Sequence, residues 1–373
     1  MSYFKLGPKV RREELYNRED ELNRLLKCWK RGDPITLVVG PRRVGKTSLV
    51  LTAINEKAQP SLIFDLTRLK RIRRTGFESF MLIVEEALNS FIERFSRFRV
   101  KLLRALRGRN EVRVTEHSVL FRAVDGLEGE LFFKKLIDII DAIAASFKVN
   151  VVLVFDEIQE ARRIATSFEY IISYIYEYST RLPMTLISSQ EGLMHKLLKF
   201  DDVESPLYKA KYTEIKLTNF TEKQAVGFLE RGLEYHGIRA SLELLKKIAK
   251  AVGCNPGWLT IVGNRAVKAR RIDEKLLEKV TFEISTILQE ELESFLELRP
   301  LARERYLFIL RSLASSPKSW KELKSSLEAR LNKKIGNKNF SNYLHNLVDA
   351  GFIIRKEGAY QIVDPLLKHA LYV

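Results

Sequence analysis

The stretch Gly40-Pro41-Arg42-Arg43-Val44-Gly45-Lys46-Thr47 constrains this chain more than any other. A Gly, four residues and then Gly-Lys-Thr is the spacing of a loop that turns its backbone N–H groups inward around phosphate oxygens. Gly40 and Gly45 suit such a crowded turn because they carry no Cβ. Lys46 would reach the outer phosphates as a point charge, and Thr47 offers a hydroxyl to Mg²⁺. The helix opening near Lys46 and Ser48 aims its positive end at the same anion. The bare pattern should arise by chance in about one chain in a hundred of this length. Context narrows that: the apolar run Ile35-Thr36-Leu37-Val38-Val39 precedes the loop and a helical run, Ser48 to Ile54, follows it. Strand, phosphate cradle and helix are therefore expected in that order.

A second run, Val151-Val152-Leu153-Val154-Phe155-Asp156-Glu157, reads as a strand covered on both faces that ends in two carboxylates. Asp156 suits Mg²⁺, usually through water, and Glu157 sits where a base would polarise the attacking water. A further strand, Met184 to Ser189, ends in hydroxyls followed by Gln190 and Glu191. Ser189 and Gln190 are candidates to sense the terminal phosphate or orient water; for Ser189 a helix-capping role is the rival reading. With Ser61 to Leu66 and Thr213 to Leu217 this makes five strands, an α/β pattern whose polar strand ends share the rim of the phosphate loop.

A chain of 373 residues with 46% hydrophobic content predicts two or three domains, each with its own core. No apolar run is long enough to span a bilayer and the opening residues lack a secretory core, so a soluble, cytoplasmic protein without a membrane partner is expected. Cys28 and Cys254 lie far apart and the five histidines are scattered, which predicts neither disulfide nor zinc. The net charge of +17 points to an anionic partner beyond a nucleotide, with nucleic acid the natural candidate. A charge-rich surface of the thermophilic kind is the competing account. Nine Lys/Arg against two acids fall between Arg94 and Arg122, between helices expected near Phe77 to Phe95 and Gly129 to Phe147. A hairpin turning at Gly108-Arg109-Asn110 fits Val112-Arg113-Val114, and this segment is either a cationic flap beside the nucleotide or a solvated face.

From Asn219 the pattern is helical. Thr221-Glu222-Lys223-Gln224 is a capping box, and Ala225, Phe228, Leu229 and Leu233 form one apolar stripe. After about residue 299 come a helix, a second opened by Ser319-Trp320-Lys321-Glu322, and a third ending at Gly351. A hairpin turning at Glu357-Gly358 follows. Three helices and a hairpin predict a winged helix-turn-helix whose third helix leaves Lys338, Asn339, Ser341, Asn342 and His345 outward, with Arg355 and Lys356 on the wing. From Phe295 onward 14 Lys/Arg stand against 7 Asp/Glu, which favours DNA; a protein partner is the alternative.

These residues together resemble the archaeal ATPase family within the STAND class of P-loop NTPases, relatives of the AAA+ proteins. The resemblance runs along nearly the whole chain. It rests on Tyr16-Asn17-Arg18-Glu19 with Glu21-Leu22, on Gly40 to Thr47, on Phe155-Asp156-Glu157, on Ser205-Pro206-Leu207-Tyr208, and on Asn255-Pro256-Gly257-Trp258-Leu259. It implies an AAA+-like core (residues 1–218, with a basic insertion at about 67–148) with strand order 5-1-4-3-2. A helical lid (219–298) and a winged helix-turn-helix (299–373) would follow. It further implies that ATP or ADP with Mg²⁺ is held by Gly40, Pro41, Arg42, Arg43, Val44, Gly45, Lys46, Thr47 and Ser48, with Asp156 on the metal and Glu157 and Lys46 in catalysis. Tyr16, Asn17, Arg18 and Pro256 would approach the base. Two departures stand out: Lys209-Ala210-Lys211 where Gly-Arg is expected, which removes an arginine that senses the terminal phosphate, and Cys254 where Gly is common. The expectation is a slow Mg²⁺-dependent ATPase switch that repositions the winged helix and oligomerises on ATP, with Arg42 or Arg43 acting on a neighbouring subunit. Its rival is a DNA- or protein-binding regulator that keeps ATP or ADP as a structural ligand.

Overall fold

Short runs of β-branched and apolar residues, each too brief for a helix and each followed by polar residues, assemble into one parallel sheet. The computed structural model describes residues 3–70, 76–122, 126–164 and 168–372. The chain forms two compact units: a sheet unit of Lys9–Gly40 and Lys46–Leu217, and a helical unit of Met1–Pro8, Pro41–Gly45 and Thr218–Val373.

In the sheet unit, α1 (Glu19–Arg31) leads to β1 (Ile35–Val39) and α2 (Lys46–Glu56), then β2 (Ser61–Asp65), α3 (Phe77–Arg94) and α4 (Ser96–Leu106). A two-stranded hairpin, β3 (Val112–Val114) and β4 (Val119–Phe121), precedes α5 (Gly126–Ser146) and β5 (Val152–Asp156). Then come α6 (Phe168–Tyr178), β6 (Met184–Ser188), α7 (Glu191–Leu198) and β7 (Thr213–Lys216). The sheet order is β2-β5-β6-β1-β7, all parallel, which is the expected 5-1-4-3-2. The inner strands β1, β5 and β6 are buried at every residue, as helices on both faces require. One face packs on an aromatic cluster in which Phe64 stacks on Phe155 and Phe80 meets Phe133 and Phe168 edge-on.

Two sequence expectations change here. The basic stretch holds a helix, α4, whose Phe98, Leu102 and Leu106 are buried while Arg97 and Arg104 are exposed. The hairpin exists but turns later, at Thr115–Ser118, where the Thr115 hydroxyl accepts the Ser118 N–H. Side-chain chemistry at a threonine wins over the glycine turn signal.

The helical unit begins with α8 (Glu222–Tyr235), α9 (Leu242–Ala251), α10 (Pro256–Ala269) and α11 (Glu274–Glu297). The capping boxes expected at Thr221 and Ser319 are both formed. Phe4 from the start of the chain lodges against α8 and α10, where a Cβ on Gly232 or Gly263 would lie 2.2 Å from its ring. Then follow α12 (Arg303–Ser315), β8 (Lys318–Ser319), α13 (Trp320–Leu331), α14 (Asn337–Asp349), β9 (Ile353–Lys356), β10 (Ala359–Ile362) and α15 (Leu367–Ala370). Strands β8, β10 and β9 pair antiparallel, and Glu357 and Gly358 both take positive φ (51° and 83°), the conformation of a tight hairpin turn. Gly351 ends α14 at φ 77°. Among the described residues no helix is long and apolar enough to cross a membrane.

Candidate nucleotide site and C-terminal surface

The loop after β1 turns on backbone conformations that few side chains tolerate. Gly40 has φ 147°, and a Cβ there would stand 2.1 Å from the Leu217 carbonyl oxygen; Gly45 has φ 97°. Residue 40 can therefore only be glycine. Lys46 is buried, and its Nζ donates to the Gly40 carbonyl at 2.9 Å, so the ammonium closes the loop on itself. Ser48 accepts the Lys9 backbone N–H at 3.0 Å.

Thr47 and Asp156 meet across the rim of the sheet, with the hydroxyl donating to Asp156 Oδ2 at 2.8 Å. The other carboxylate oxygen, Oδ1, is buried and has no hydrogen-bond partner among the described residues. Burial, reinforced by Glu157 and Asp65 and opposed by the Thr47 bond and Lys46, pushes the Asp156 carboxyl up to about 6. An orphaned oxygen on a destabilised carboxylate beside the Thr47 hydroxyl is a donor set that fits a hard divalent cation such as Mg²⁺.

Glu157 adopts the left-handed region, φ 54°, immediately after the strand. That conformation is costly for a residue with a side chain and is held here by its partners. Its Oε2 accepts from the Ser189 hydroxyl at 2.5 Å and from the Gln159 amide, and Gln159 in turn accepts from Ser188 at 2.7 Å. Ser189 therefore does not cap the helix that follows: Gln190 occupies the cap position of α7, and the Ser189 hydroxyl is aimed at Glu157. Gln159 was not singled out in the sequence; its place two residues after the carboxylate pair is the only signal that marks it.

Arg18 is buried and pairs with Glu21 at 3.0 Å, while Asn17 sits at φ 52°. Lys209 and Lys211 are both exposed, and Lys209 lies over the Tyr208 ring. Elsewhere on this unit Glu191, His195 and Glu214 bring donor atoms within 4.8 Å of one another, a grouping the sequence did not suggest. Glu191 is already engaged by Lys216 at 2.8 Å.

Within the helical unit, loop residues 41–45 have their own partners. Glu291 on α11 receives both Arg42, at 2.7 Å, and Arg43. The two guanidiniums hold its carboxyl below the ordinary range even though burial acts in the opposite direction as the largest influence. Asn255, the side-chain cap of α10, donates to the Arg42 carbonyl at 3.0 Å, and the Gly257 N–H donates to the Arg43 carbonyl at 3.0 Å. Pro256 opens α10 beside these contacts. The Arg43 guanidinium lies 4.1 Å from the centre of the Trp258 ring, whose indole N–H donates to Asp364 at 2.6 Å. Burial raises the Asp364 carboxyl from its usual value, against the Trp258 bond. Cys254 takes φ 53°, which explains why a glycine would be the easier residue there.

On the C-terminal surface Lys338, Asn339, Asn342 and His345 of α14 and Arg355 and Lys356 of β9 are all exposed. Ser341 is instead half-buried and accepts the Trp320 indole N–H at 3.1 Å. It leaves the set of outward polar residues.

A parallel sheet in this order, with a glycine loop, a lysine and a threonine facing a strand-end carboxylate, defines a P-loop ATPase fold of the AAA+ kind, here followed by a winged helix. The chain belongs to the family described as an ATPase domain predominantly from Archaea, whose model matches residues 15–262. Residues 300–363 match the C-terminal winged helix-turn-helix domain of MCM proteins. Among solved structures, the chain is similar to the Walker-type ATPase PABY2304 of Pyrococcus abyssi, at 26% identity over 100% of both chains with a TM-score of 0.80. It is also similar in fold to the ORC2 protein of Aeropyrum pernix, solved with ADPNP and ADP, at 13% identity over 99% of this chain and 95% of that one, TM-score 0.59. No curated protein matches it in sequence.

Proposed function

We propose that the chain binds ATP with Mg²⁺ in the loop Gly40 to Ser48, hydrolyses it slowly, and uses the bound state to reposition its winged helix on DNA. The observation that carries this reading is the meeting of Lys46, Thr47, Asp156 and Glu157 on one rim, with a buried Asp156 oxygen that has no hydrogen-bond partner among the described residues. Thr47 and Asp156 would hold Mg²⁺, which when bound neutralises charge on the outer phosphates. Lys46 exchanges its bond to the Gly40 carbonyl for a phosphate oxygen, and the loop amides from 44 to 48 line the rest of the cradle. Glu157 orients and deprotonates the attacking water, with Ser189 and Gln159 fixing the carboxylate. Tyr16, Asn17, Arg18 and Pro256 are assigned to the base.

We assign residues 1–218 to the ATPase core, 219–298 to a lid and 299–373 to the winged helix, within the STAND class. The exposed cations on α14 and β9 support DNA as the partner. A homo-oligomer formed on ATP, in a cytoplasmic protein, completes the reading. Phosphate release by the wild type and by Glu157→Gln, with analysis of nucleotide that co-purifies, tests the reaction. Release well above background in the wild type and at background in the variant is expected.

Two observations favour a second reading, in which nucleotide is a structural ligand with negligible turnover. The Glu157 carboxylate is already engaged by two donors, and Ala210 stands where an arginine was expected. Tightly held nucleotide with no phosphate release from either protein would select it.

A further inference from the structure

The segment Pro41–Gly45 is held from within the helical unit through both its side chains and its backbone. Two guanidiniums converge on one half-buried carboxylate, and two backbone carbonyls, of Arg42 and Arg43, are bonded by Asn255 and Gly257. Residue 257 must be glycine, since a Cβ there would lie 2.5 Å from the Arg43 Cβ. Arg43 itself is held at φ 66°, a conformation that persists in a residue with a side chain only where its surroundings enforce it. The chain of contacts continues through Trp258 to Asp364, and Pro365 packs so closely on Gly253 that a Cβ there would lie 2.8 Å away.

We propose that Glu291 is a positioning residue for the phosphate loop, acting through Arg42 and Arg43, and that Trp258 extends the same clamp to Asp364. The claim rests on the reading of this loop as a nucleotide site. Without the carboxylate, two neighbouring guanidiniums repel each other in a confined space and the left-handed turn at Arg43 loses its support. The loop amides are then no longer aimed before the ligand arrives, and ordering them is charged against binding. Glu291 touches no phosphate in this scheme; its effect is carried by the two arginines.

The test has one arm without nucleotide and one with it. In the nucleotide-free protein, amide hydrogen exchange over residues 40–47 should quicken about tenfold in Glu291→Gln and in Arg42→Ala/Arg43→Ala, with cooperative melting retained. Binding of a non-hydrolysable ATP analogue with Mg²⁺ should weaken about tenfold in each, and the combined triple variant should be no weaker than the double. A general loss of packing would instead make the two effects multiply. Unchanged exchange in both variants, or multiplied losses in the triple, overturns the proposal. If the wild type and Lys46→Ala bind the analogue equally poorly, the nucleotide reading fails and the exchange arm alone decides the positioning claim.

Discussion

Two carboxylates, the buried Asp156 of the sheet unit and the half-buried Glu291 of the helical unit, behave in opposite ways. Asp156 has a hydroxyl on one oxygen and, among the described residues, no hydrogen bond on the other, and its carboxyl is pushed up to about 6; Glu291 has two guanidiniums and is pulled below the ordinary range. Desolvation acts on both in the same direction; the difference lies in the neighbours, since the charges of Glu157 and Asp65 add to it at Asp156 whereas Arg42 and Arg43 oppose it at Glu291. A buried carboxylate without a paired cation suits a cation supplied from outside, whereas one paired with two guanidiniums is part of the frame. The rim of the sheet is thus built to receive, and the α11 cluster to hold.

The contrast is most sharply tested where charge meets ligand. Lys46→Ala should reduce affinity for Mg²⁺-ATP by about 100-fold, measured by titration calorimetry, because a buried charge-assisted contact disappears. Glu157→Gln should lower turnover by about 100-fold or more while leaving that affinity nearly unchanged.

The same chemical change at the two carboxylates should then act with opposite sign. In chelator at pH 7, Asp156→Asn should raise folding stability by on the order of 1–2 kcal/mol while abolishing Mg²⁺-dependent binding, and Glu291→Gln should lower stability by roughly 1–3 kcal/mol. Denaturant melts of both would read this, and a shared sign would break the comparison.

Acid should remove both differences, over separate ranges. The raised carboxyl of Asp156 penalises the folded state fully above about pH 6, and the penalty vanishes below the ordinary value of 3.8, so the Asn variant's advantage fades between them. The depressed carboxyl of Glu291 stabilises the fold above its ordinary value of 4.5, and that contribution is lost as pH falls through the lowered one. Melting temperatures from pH 7 to 3 would show the Asn variant converging on wild type before the Gln variant does. The smallest effect is on the C-terminal surface: Arg355→Ala with Lys356→Ala should reduce the salt slope of DNA binding by about one unit per cation.

What could be read in advance follows the same division. The loop from Gly40 to Thr47 and the pair Asp156-Glu157 were legible because their chemistry is compressed into contiguous residues, and the capping boxes at Thr221 and Ser319 because a cap is a local bond. Strand order came through resemblance to a family, not through any pattern in the strands. Helix α4 was missed because its cations obscure the stripe of Phe98, Leu102 and Leu106. The hairpin was placed too early because the Thr115 hydroxyl, not a glycine, makes the turn. Glu291 and Asp364 carried no signal at all, since the cluster unites positions 42, 43, 258, 291 and 364, and only tertiary structure brings them together.

Phe4 is wedged between two helices of the helical unit. Its ring fills the space that side chains would occupy at Gly232 on α8 and Gly263 on α10, so the separation of those helices is gauged by a wedge borrowed from the opposite end of the sequence. The size of that single plug becomes a dial: a leucine there would let the helix pair settle inward, and a tryptophan would jack it apart, with both glycines left untouched.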